Sequence, residues 1–337
     1  MIDAALDRSE ITKGWPKKWI SPSMFPICSV QEYIKQLYQK KNGGVTQETG
    51  IMLEIFAAAG TGMHNAMQKG MALSGQFYGH WKCTNDKECS LAKKAKSSYV
   101  DGKYKRGKYT RLRSTDNICP ECKKPMKYEE IKILYKKLKG YVDGIIDNLD
   151  GTYSLIDFKS TMITKAEDGS FFVKYHQLQI SAYAYVLTTR YKMKIRDYTL
   201  IYMPRDNPKR FVSRTFKYDA EAADTARKLV QAQLAAWEAV MSSVKDGDPN
   251  KAIKHKPCAT QEFYWEQFHG HNECPFVDYC FIDSRLKKRL QEIEERINAN
   301  PQLTYAEVVK PQRRKEQTGF KKKPYRKERP RIRQISI

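Results

Sequence analysis

The spacing of apolar residues along the chain predicts an alternation of helices and short strands. Two helices are predicted over residues 31–41 and 49–69, and the second carries its apolar side chains near a period of 3.6 residues. Two apolar stretches, 140–147 and 153–159, flank the turn 148–151 and predict a β-hairpin. A helix, a second pair of strands and two more helices follow, at about 175–189, 198–203, 211–218, 220–245 and 284–298. This order is typical of an α/β core with a mixed central sheet flanked by helices.

The charge balance narrows the class of partner. The 61 Lys and Arg residues outnumber the 38 Asp and Glu residues and leave a formal net charge of +23, which is typical of proteins that bind a polyanion such as nucleic acid. No apolar run reaches the roughly 18 residues that a membrane span needs, and the first residues lack the pattern of a signal peptide. We therefore expect a folded cytoplasmic protein without a membrane partner.

Most of the excess positive charge lies in two segments. Residues 90–140 carry a net charge of +11, and residues 309–337 carry +10. The second segment has almost no apolar periodicity, which predicts a disordered basic tail that contacts phosphates; a purely solubilising tail is the alternative. In the first segment tyrosines alternate with basic residues, a pattern that suits single strands, although the segment could also only cover a surface. The expected nucleic-acid-binding residues are Lys103, Lys105, Arg106, Lys108, Arg111, Arg113, Lys321, Lys322, Lys323 and Arg326.

The eight cysteines favour metal binding over disulfides, because no secretion signal precedes them. Four of them, Cys83, Cys89, Cys119 and Cys122, have the spacing C-x5-C and C-x2-C with 29 residues between the pairs. Paired cysteines of this kind are typical of a zinc ribbon, although His80 could replace one thiol of the looser first pair. We expect residues 80–128 to form a zinc-ribbon-like insertion.

Acidic residues and a lysine meet on the predicted hairpin. Asp157 and Lys159 are two residues apart on one strand and therefore share a face, and the hairpin can bring Asp143 beside them. Two carboxylates and a lysine can hold Mg²⁺ and activate a water near a phosphodiester. The D-x-K pattern alone is weak, since a solvated strand face often has the same residues.

Four motifs in order strengthen this interpretation. They are Gly60–His64, Gly140–Asp143, Asp157–Lys159 and Gln179–Tyr183, and their order resembles the RecB-like branch of the PD-(D/E)xK nucleases. The resemblance implies a restriction-endonuclease-like fold and a deoxyribonuclease that depends on Mg²⁺ or Mn²⁺. It implies metal-site roles for His64, Asp143, Asp157 and Phe158, and catalytic or positioning roles for Asp143, Asp157, Lys159, Gln179 and Tyr183. Packing roles for His64 and Tyr183 remain the alternatives.

The other four cysteines lie at the two ends of the folded region. The chain resembles the iron–sulfur nucleases of the same branch, including the AddB-type and CRISPR-associated exonucleases. This resemblance implies that Cys28, Cys258, Cys274 and Cys280 hold a 4Fe-4S cluster. His271 is an alternative to Cys258 as fourth ligand, and a zinc site or plain buried thiols are alternatives to the cluster.

The expected organisation has four parts. Residues 1–79 begin the nuclease domain, 80–128 form the insertion, 129–300 form the nuclease core with the iron–sulfur part, and 301–337 form the tail. The expected activity is that of an exonuclease on DNA ends or single strands in recombination, replication or repair. DNA and the proteins of those processes are the expected partners. We expect the protein to be phage-encoded. The alternatives are a structure-specific or nicking endonuclease and a non-catalytic zinc-ribbon DNA-binding factor.

Overall fold

A computed structural model shows a mixed α/β fold. The residues that it describes are 7–12, 19–25, 28–42, 45–72, 77–85, 88–89, 118–119, 121–161, 163–168, 171–207, 209–255, 276, 279, 283–300, 303 and 305–310. Among these residues no helix is both long enough and apolar enough to cross a membrane.

The helices and strands follow the apolar pattern closely. The strands are β1 (Asp7–Thr12), β2 (Val45–Gly50), β3 (His80–Cys83), β4 (Met126–Glu129), β5 (Ile131–Tyr135), β6 (Leu138–Val142), β7 (Gly144–Asp147), β8 (Tyr153–Thr161), β9 (Ile195–Pro204) and β10 (Val212–Lys217). The helices are α1 (Ser29–Asn42), α2 (Ile51–Ala72), α3 (Ile163–Asp168), α4 (Phe171–Tyr191), α5 (Ala220–Asp246), α6 (Asn250–Lys254), α7 (Asp283–Ala299) and α8 (Tyr305–Val309). The expected helices and the expected strands 153–159, 198–203 and 211–218 are present, with boundaries that differ by a few residues.

The central sheet is mixed, as the sequence predicts. Its strand order is β10-β9-β8-β7, with β8 and β9 parallel and the two outer pairs antiparallel. Helices α3 and α4 lie between the two parallel strands in sequence, which is the crossover that a parallel pair requires. The described residues also form three two-stranded sheets, β1–β2, β3–β4 and β5–β6, of which the last two are antiparallel.

The prediction of a single strand over 140–147 is wrong. The segment is divided between β6, which pairs with β5, and β7, which pairs with β8. In an uninterrupted hairpin Val142 would pair with Phe158, but the Asp143 carboxylate accepts the Phe158 backbone N–H at 2.9 Å instead. The side chain thus takes the place of the next backbone partner, and the chain leaves one sheet for the other at Asp143.

The chain divides into two compact units. The first comprises residues 1–8, 18–25 and 49–234, and the second comprises residues 9–17, 26–48 and 235–337. In the second unit α1 and α6 are joined by the Ser29 hydroxyl, which donates to the Ala252 carbonyl at 2.7 Å. The apolar face of α7 is buried in this unit's core and consists of Leu286, Leu290, Ile293 and Ile297.

Candidate active site and cysteine cluster

The first unit brings one histidine and two carboxylates together. His64 lies on α2, and its Nε2 is 3.1 Å from Oδ2 of Asp143 and 3.9 Å from Oε1 of Glu130. The donor atoms of the three residues all lie within 4.8 Å of one another, and all three side chains are half-buried. We call His64, Glu130 and Asp143 the acidic triad.

Glu130 is a member of the triad that the sequence analysis missed. It is the residue between β4 and β5, and the β5–β6 register places it opposite Asp143, because Ile131 pairs with Val142. The signal was the alternation of apolar and polar residues on both sides of Lys136, which predicts a hairpin. With that hairpin in place, Glu130 and Asp143 would have been expected to face each other.

Gln68 connects the triad to α2. It lies one turn after His64, and its Nε2 donates to the Asp143 carbonyl at 2.8 Å and to Oε1 of Glu130 at 3.4 Å. His64 and Gln68 therefore present one face of the helix to the break between β6 and β7. The His64 ring also packs edge-on against Phe158 on β8, with 5.4 Å between ring centroids.

The electrostatics of the triad favour a bound cation. The pKa of His64 is raised by its hydrogen bond to Asp143, and the pKa of Glu130 is raised first by burial and then by the charge of Asp143. Two carboxylates thus compete for positive charge in a half-buried site. A divalent cation would relieve this competition.

The donor set also fits the size of such a cation. Mg²⁺ binds its ligands at about 2.1 Å in octahedral geometry, so neighbouring ligand atoms lie about 3.0 Å apart and opposite ones about 4.2 Å apart. The distances from His64 Nε2, 3.1 Å and 3.9 Å, fall in this range. The two carboxylate oxygens of Glu130 and Asp143 suit Mg²⁺ or Mn²⁺.

Asp157 and Lys159 form a second polar group next to the triad. Both lie on β8, as the strand alternation predicts, and Lys159 Nζ is 2.8 Å from Oδ2 of Asp157. The pKa of Asp157 is raised by complete burial. The pKa of Lys159 is also raised: burial is the largest single influence and lowers it, but the charges of Asp157 and Asp143 together outweigh burial. Asp157 is not part of the compact triad but lies within its electrostatic reach.

Gln179 fixes this ion pair from α4. Its Oε1 accepts a hydrogen bond from Lys159 Nζ at 2.9 Å, and its Nε2 donates to Oδ1 of Asp157 at 3.5 Å. Its side chain is also hydrogen-bonded to Tyr183, one turn further along the helix. The predicted pair Gln179 and Tyr183 therefore lies on one helical face, directed at the acidic and basic groups of β8.

Tyr183 explains the glycine of the Gly140–Asp143 motif. A Cβ on Gly140 would lie 2.6 Å from Cε1 of Tyr183, which is too close for any other residue. The ring is buried, and burial, followed by the charge of Asp157, raises the pKa of its hydroxyl. Tyr183 therefore stays protonated, and two of the four motifs are in direct contact.

The four cysteines of the predicted zinc ribbon converge. Cys83 Sγ is 3.3 Å from Cys122 Sγ, Cys89 Sγ is 3.6 Å from Cys119 Sγ, and all four sulfurs lie within 4.8 Å of one another. Strand β3 ends at Cys83 and pairs with β4, so Cys83 is opposite Met126. We call these four residues the cysteine cluster.

A tight turn presents the second pair of thiols. The Cys119 backbone N–H donates to the Lys124 carbonyl at 2.8 Å, and the Lys123 N–H donates to the Cys119 carbonyl at 3.0 Å. Lys123 has a φ of 56°, in the left-handed region that such turns use. Burial raises the pKa of the Cys83 thiol to about 12, so a metal ion is needed to hold it as a thiolate.

Most of the other predicted site residues lie outside the part of the chain that the structure describes. Cys258, His271, Cys274 and Cys280 lie outside the described residues, and so do all ten basic residues expected to bind nucleic acid. Cys28 is buried in the second unit, in one apolar cluster with Phe276, and Tyr279 packs against that cluster. His80 lies at the start of β3, three residues before Cys83, and the four sulfurs form a complete set of ligands without it.

Similarity to known proteins covers most of the chain. A family model described as the PD-(D/E)XK nuclease superfamily matches residues 46–281. No curated protein matches the chain. The solved structure of SSO0001 matches with 19% sequence identity and a TM-score of 0.21; the match covers 31% of this chain and 46% of that chain, which is less than half of its length.

Proposed function

Because the chain belongs to the PD-(D/E)XK nuclease superfamily, we propose that it is a deoxyribonuclease that removes nucleotides from DNA ends or single strands. The family implies a metal-dependent nuclease, and therefore a hydrolase that acts on phosphodiesters. The observation that carries the proposal is the meeting of the acidic triad with the ion pair of Asp157 and Lys159. The process that it serves would be recombination, replication or repair.

The residues that would hold Mg²⁺ or Mn²⁺ are His64, Asp143 and Glu130, with Asp157 next to them and the neighbouring Phe158 fixing Asp143. When bound, such a cation supplies positive charge to the scissile phosphate and lowers the pKa of a bound water. The Phe158 backbone N–H holds the Asp143 carboxylate in place for this role.

Lys159 has a separate task. An ammonium group has three N–H donors: one donates to Oε1 of Gln179, and a second is directed to the ion pair with Asp157. We assign the third to the attacking water or to a phosphate oxygen, where it orients the water and stabilises developing negative charge. Gln179 and Tyr183 are positioning residues, since they act through Lys159 and Asp157.

A nuclease assay with end-labelled linear and closed circular single strands tests the proposal. We expect Mg²⁺- or Mn²⁺-dependent release of short products from the linear strand, and no cleavage of the circle. Cleavage of the circle would support the endonuclease alternative instead. Binding without cleavage of either substrate, at any metal concentration, would support the non-catalytic DNA-binding alternative.

We further propose zinc as the metal of the cysteine cluster. Four thiolates around one Zn²⁺, at about 2.3 Å in tetrahedral geometry, lie about 3.8 Å apart. The observed separations of 3.3 Å and 3.6 Å support one small ion, because the four irons of a cluster would hold their thiolates further apart. The basic segment between the two cysteine pairs would then contact DNA.

A 4Fe-4S cluster on Cys28, Cys258, Cys274 and Cys280 is the proposal for the second unit. Its support is that Cys28 shares a buried cluster with Phe276, which lies between Cys274 and Cys280 in sequence. Protein purified without oxygen should contain iron as well as zinc. Cys28→Ser should lose only the iron, and a comparison of Cys258→Ser with His271→Ala decides the fourth ligand.

The origin and surroundings of the protein follow as expectations. A phage origin, with action in the cytoplasm of a bacterial host, stays a prediction. The basic tail over 309–337 would strengthen binding to DNA without reading its sequence. Deleting it should flatten the dependence of DNA affinity on salt.

A further inference from the structure

The β5–β6 hairpin has one buried face and one exposed face. Ile131, Ile133, Leu138 and Val142 point inward, whereas the alternate positions point outward. A third segment extends the hairpin, because Ile20 pairs with Leu138 in parallel through two backbone hydrogen bonds of 2.8 Å and 2.9 Å. Ile20 is buried, so its neighbour Trp19 lies on the outward side.

Two aromatic rings and two lysines occupy the outward side. Tyr141 is 47% exposed and Trp19 is 40% exposed, which is unusual for such large side chains. Lys132 is the cross-strand partner of Tyr141, and Lys139 lies two residues before Tyr141 on the same strand. We call Trp19, Lys132, Lys139 and Tyr141 the hairpin face.

The charges on this face suit an anion. Lys132 and Lys139 lie on the same side of two neighbouring strands, so their two ammonium groups repel each other. A phosphate between them would relieve this repulsion. Exposed flat rings next to lysines are the pattern by which proteins bind single strands, because unpaired bases stack on the rings while the lysines contact the backbone. A duplex hides the faces of its bases and gains less from such rings.

The hairpin face leads directly into the acidic triad. Tyr141 precedes Asp143 by two residues and Lys132 follows Glu130 by two, so each pair points to the same side of its strand. The cross-strand pair of Lys132 and Tyr141 is therefore followed, two positions along the hairpin, by Glu130 opposite Asp143. A strand lying on the face would reach the triad without changing direction.

We propose that the hairpin face binds a single DNA strand and directs its terminal phosphodiester to His64, Glu130 and Asp143. This inference rests on the proposed nuclease function and adds to it the path of the substrate. The residues involved act on binding and not on the chemical step.

The first test measures affinity in buffer without added Mg²⁺ or Mn²⁺, so that the DNA is not cleaved and the cysteine cluster is not exposed to a chelator. The probes are a fluorescent oligothymidine strand and a blunt duplex of the same length. Tyr141→Ala and Trp19→Ala should each weaken binding of the single strand about tenfold, whereas duplex binding should change little. Tyr141→Phe keeps the ring and should bind like the wild type. Phe211→Ala is the matched control, since Phe211 is 50% exposed but lies before β10.

The second test measures the salt dependence of the same binding. Each phosphate contact with a single strand contributes about −0.7 to the slope of log affinity against log salt concentration. Lys132→Gln and Lys139→Gln should each reduce the slope by about that amount. Lys217→Gln, on the outer edge strand β10, should leave it unchanged.

The outcomes separate this inference from the proposed function. Single-strand binding within twofold of the wild type in both aromatic variants, with both lysine variants keeping the full slope, overturns the inference even if the wild type cleaves DNA. If the aromatic variants bind as expected but the wild type never cleaves, the hairpin face stands and the nuclease proposal fails. Circular dichroism spectra and melting temperatures of all variants show that the fold is retained.

Discussion

The acidic triad and the cysteine cluster, which we propose as two metal sites, differ in access to solvent. The side chains of the triad are half-buried, whereas Cys83, Cys89 and Cys119 are almost completely buried beneath Trp81 and Tyr128. Catalytic metal sites keep an open position for water or substrate, and structural sites are closed. The difference supports the proposal that the first site serves chemistry and the second serves folding.

The two sites are also supported differently. The triad depends on hydrogen bonds from long elements, such as those of Gln68 on α2 and the Phe158 backbone on β8. The cysteine cluster has two four-residue strands, β3 and β4, and one tight turn. These short elements share a buried core with Ile156, Phe158 and Met203 of the central sheet. We expect a bound metal ion to add further stability. Variants that remove one metal at a time should therefore have opposite effects on activity and folding.

The largest expected effect is the loss of activity when a carboxylate of the acidic triad is neutralised. Asp143→Asn keeps the size of the side chain and an oxygen for the Phe158 N–H, but it removes a charge that a cation needs. We expect kcat to fall about a thousandfold, with zinc content and melting temperature close to the wild type. Cleavage of end-labelled DNA measures it, with Asp224→Asn on α5 as control. Near-normal turnover in Asp143→Asn would remove this residue from the catalytic site.

At the cysteine cluster a substitution is expected to lower stability and metal content first. Cys119→Ser should lose the zinc and destabilise the fold by about 3 kcal/mol or more, because the apolar residues around the sulfurs lose their support. Metal analysis and urea unfolding measure this effect, and Asp143→Asn serves as the control that retains zinc. A Cys119→Ser protein with full zinc and unchanged stability would contradict the structural role.

Glu130 tests how far the two sites are coupled. It directly follows β4, whose partner strand β3 ends at Cys83, so the cysteine cluster helps to place a ligand of the triad. Glu130→Gln should lower the apparent affinity for Mg²⁺ about 10- to 100-fold while kcat at saturating metal stays closer to the wild type. A metal titration of activity measures it, and Glu238→Gln on α5 is the control. An unchanged titration curve would show that Glu130 is not a ligand.

The smallest expected effect is the pH dependence of stability that is due to the buried His176. Burial, followed by the charge of Lys159, lowers the pKa of His176 to about 3, and its Nδ1 is 3.1 Å from the Tyr202 hydroxyl. The unfolded chain binds a proton near pH 6.5, so the stability due to neutral His176 is complete above that pH and is lost as the pH falls toward 3.

At pH 5 this loss should amount to about 2 kcal/mol. His176→Gln should therefore be less sensitive to acid than the wild type when urea unfolding is compared at pH 7.5 and pH 5. His255→Gln, in the second unit, is the control. Equal acid sensitivity of the wild type and His176→Gln would show that another group titrates.

The sequence predicted the elements and the motif residues better than their assembly. Strand alternation correctly placed Asp157 beside Lys159, and helical spacing correctly placed Gln179 and Tyr183 on one face. The sequence did not show that Asp143 lies between two strands of different sheets, because apolar residues continue on both sides of it. The cause is a hydrogen bond to Phe158, which is a tertiary contact and leaves no trace in local composition.

Glu130 was missed for a related reason. A glutamate between two short strands looks like any exposed charge, and only the register of the β5–β6 hairpin gives it a role. The packing of Tyr183 on Gly140 likewise connects positions 43 residues apart, which a local pattern cannot show. The functions expected for the basic segments and for Cys28, Cys258, Cys274 and Cys280 stay predictions.

The strand break at Asp143 has a consequence for how the protein folds. Glu130, Asp143, Asp157 and Lys159 all belong to one stretch of 30 residues, formed by two successive hairpins that meet at the break. Hairpins close over short loops and so form at little cost in chain entropy, whereas His64 has to be brought from α2 by a longer loop. The carboxylates can therefore gather before the helix docks, and the arrival of His64 and Gln68 would be the step that completes the site during folding.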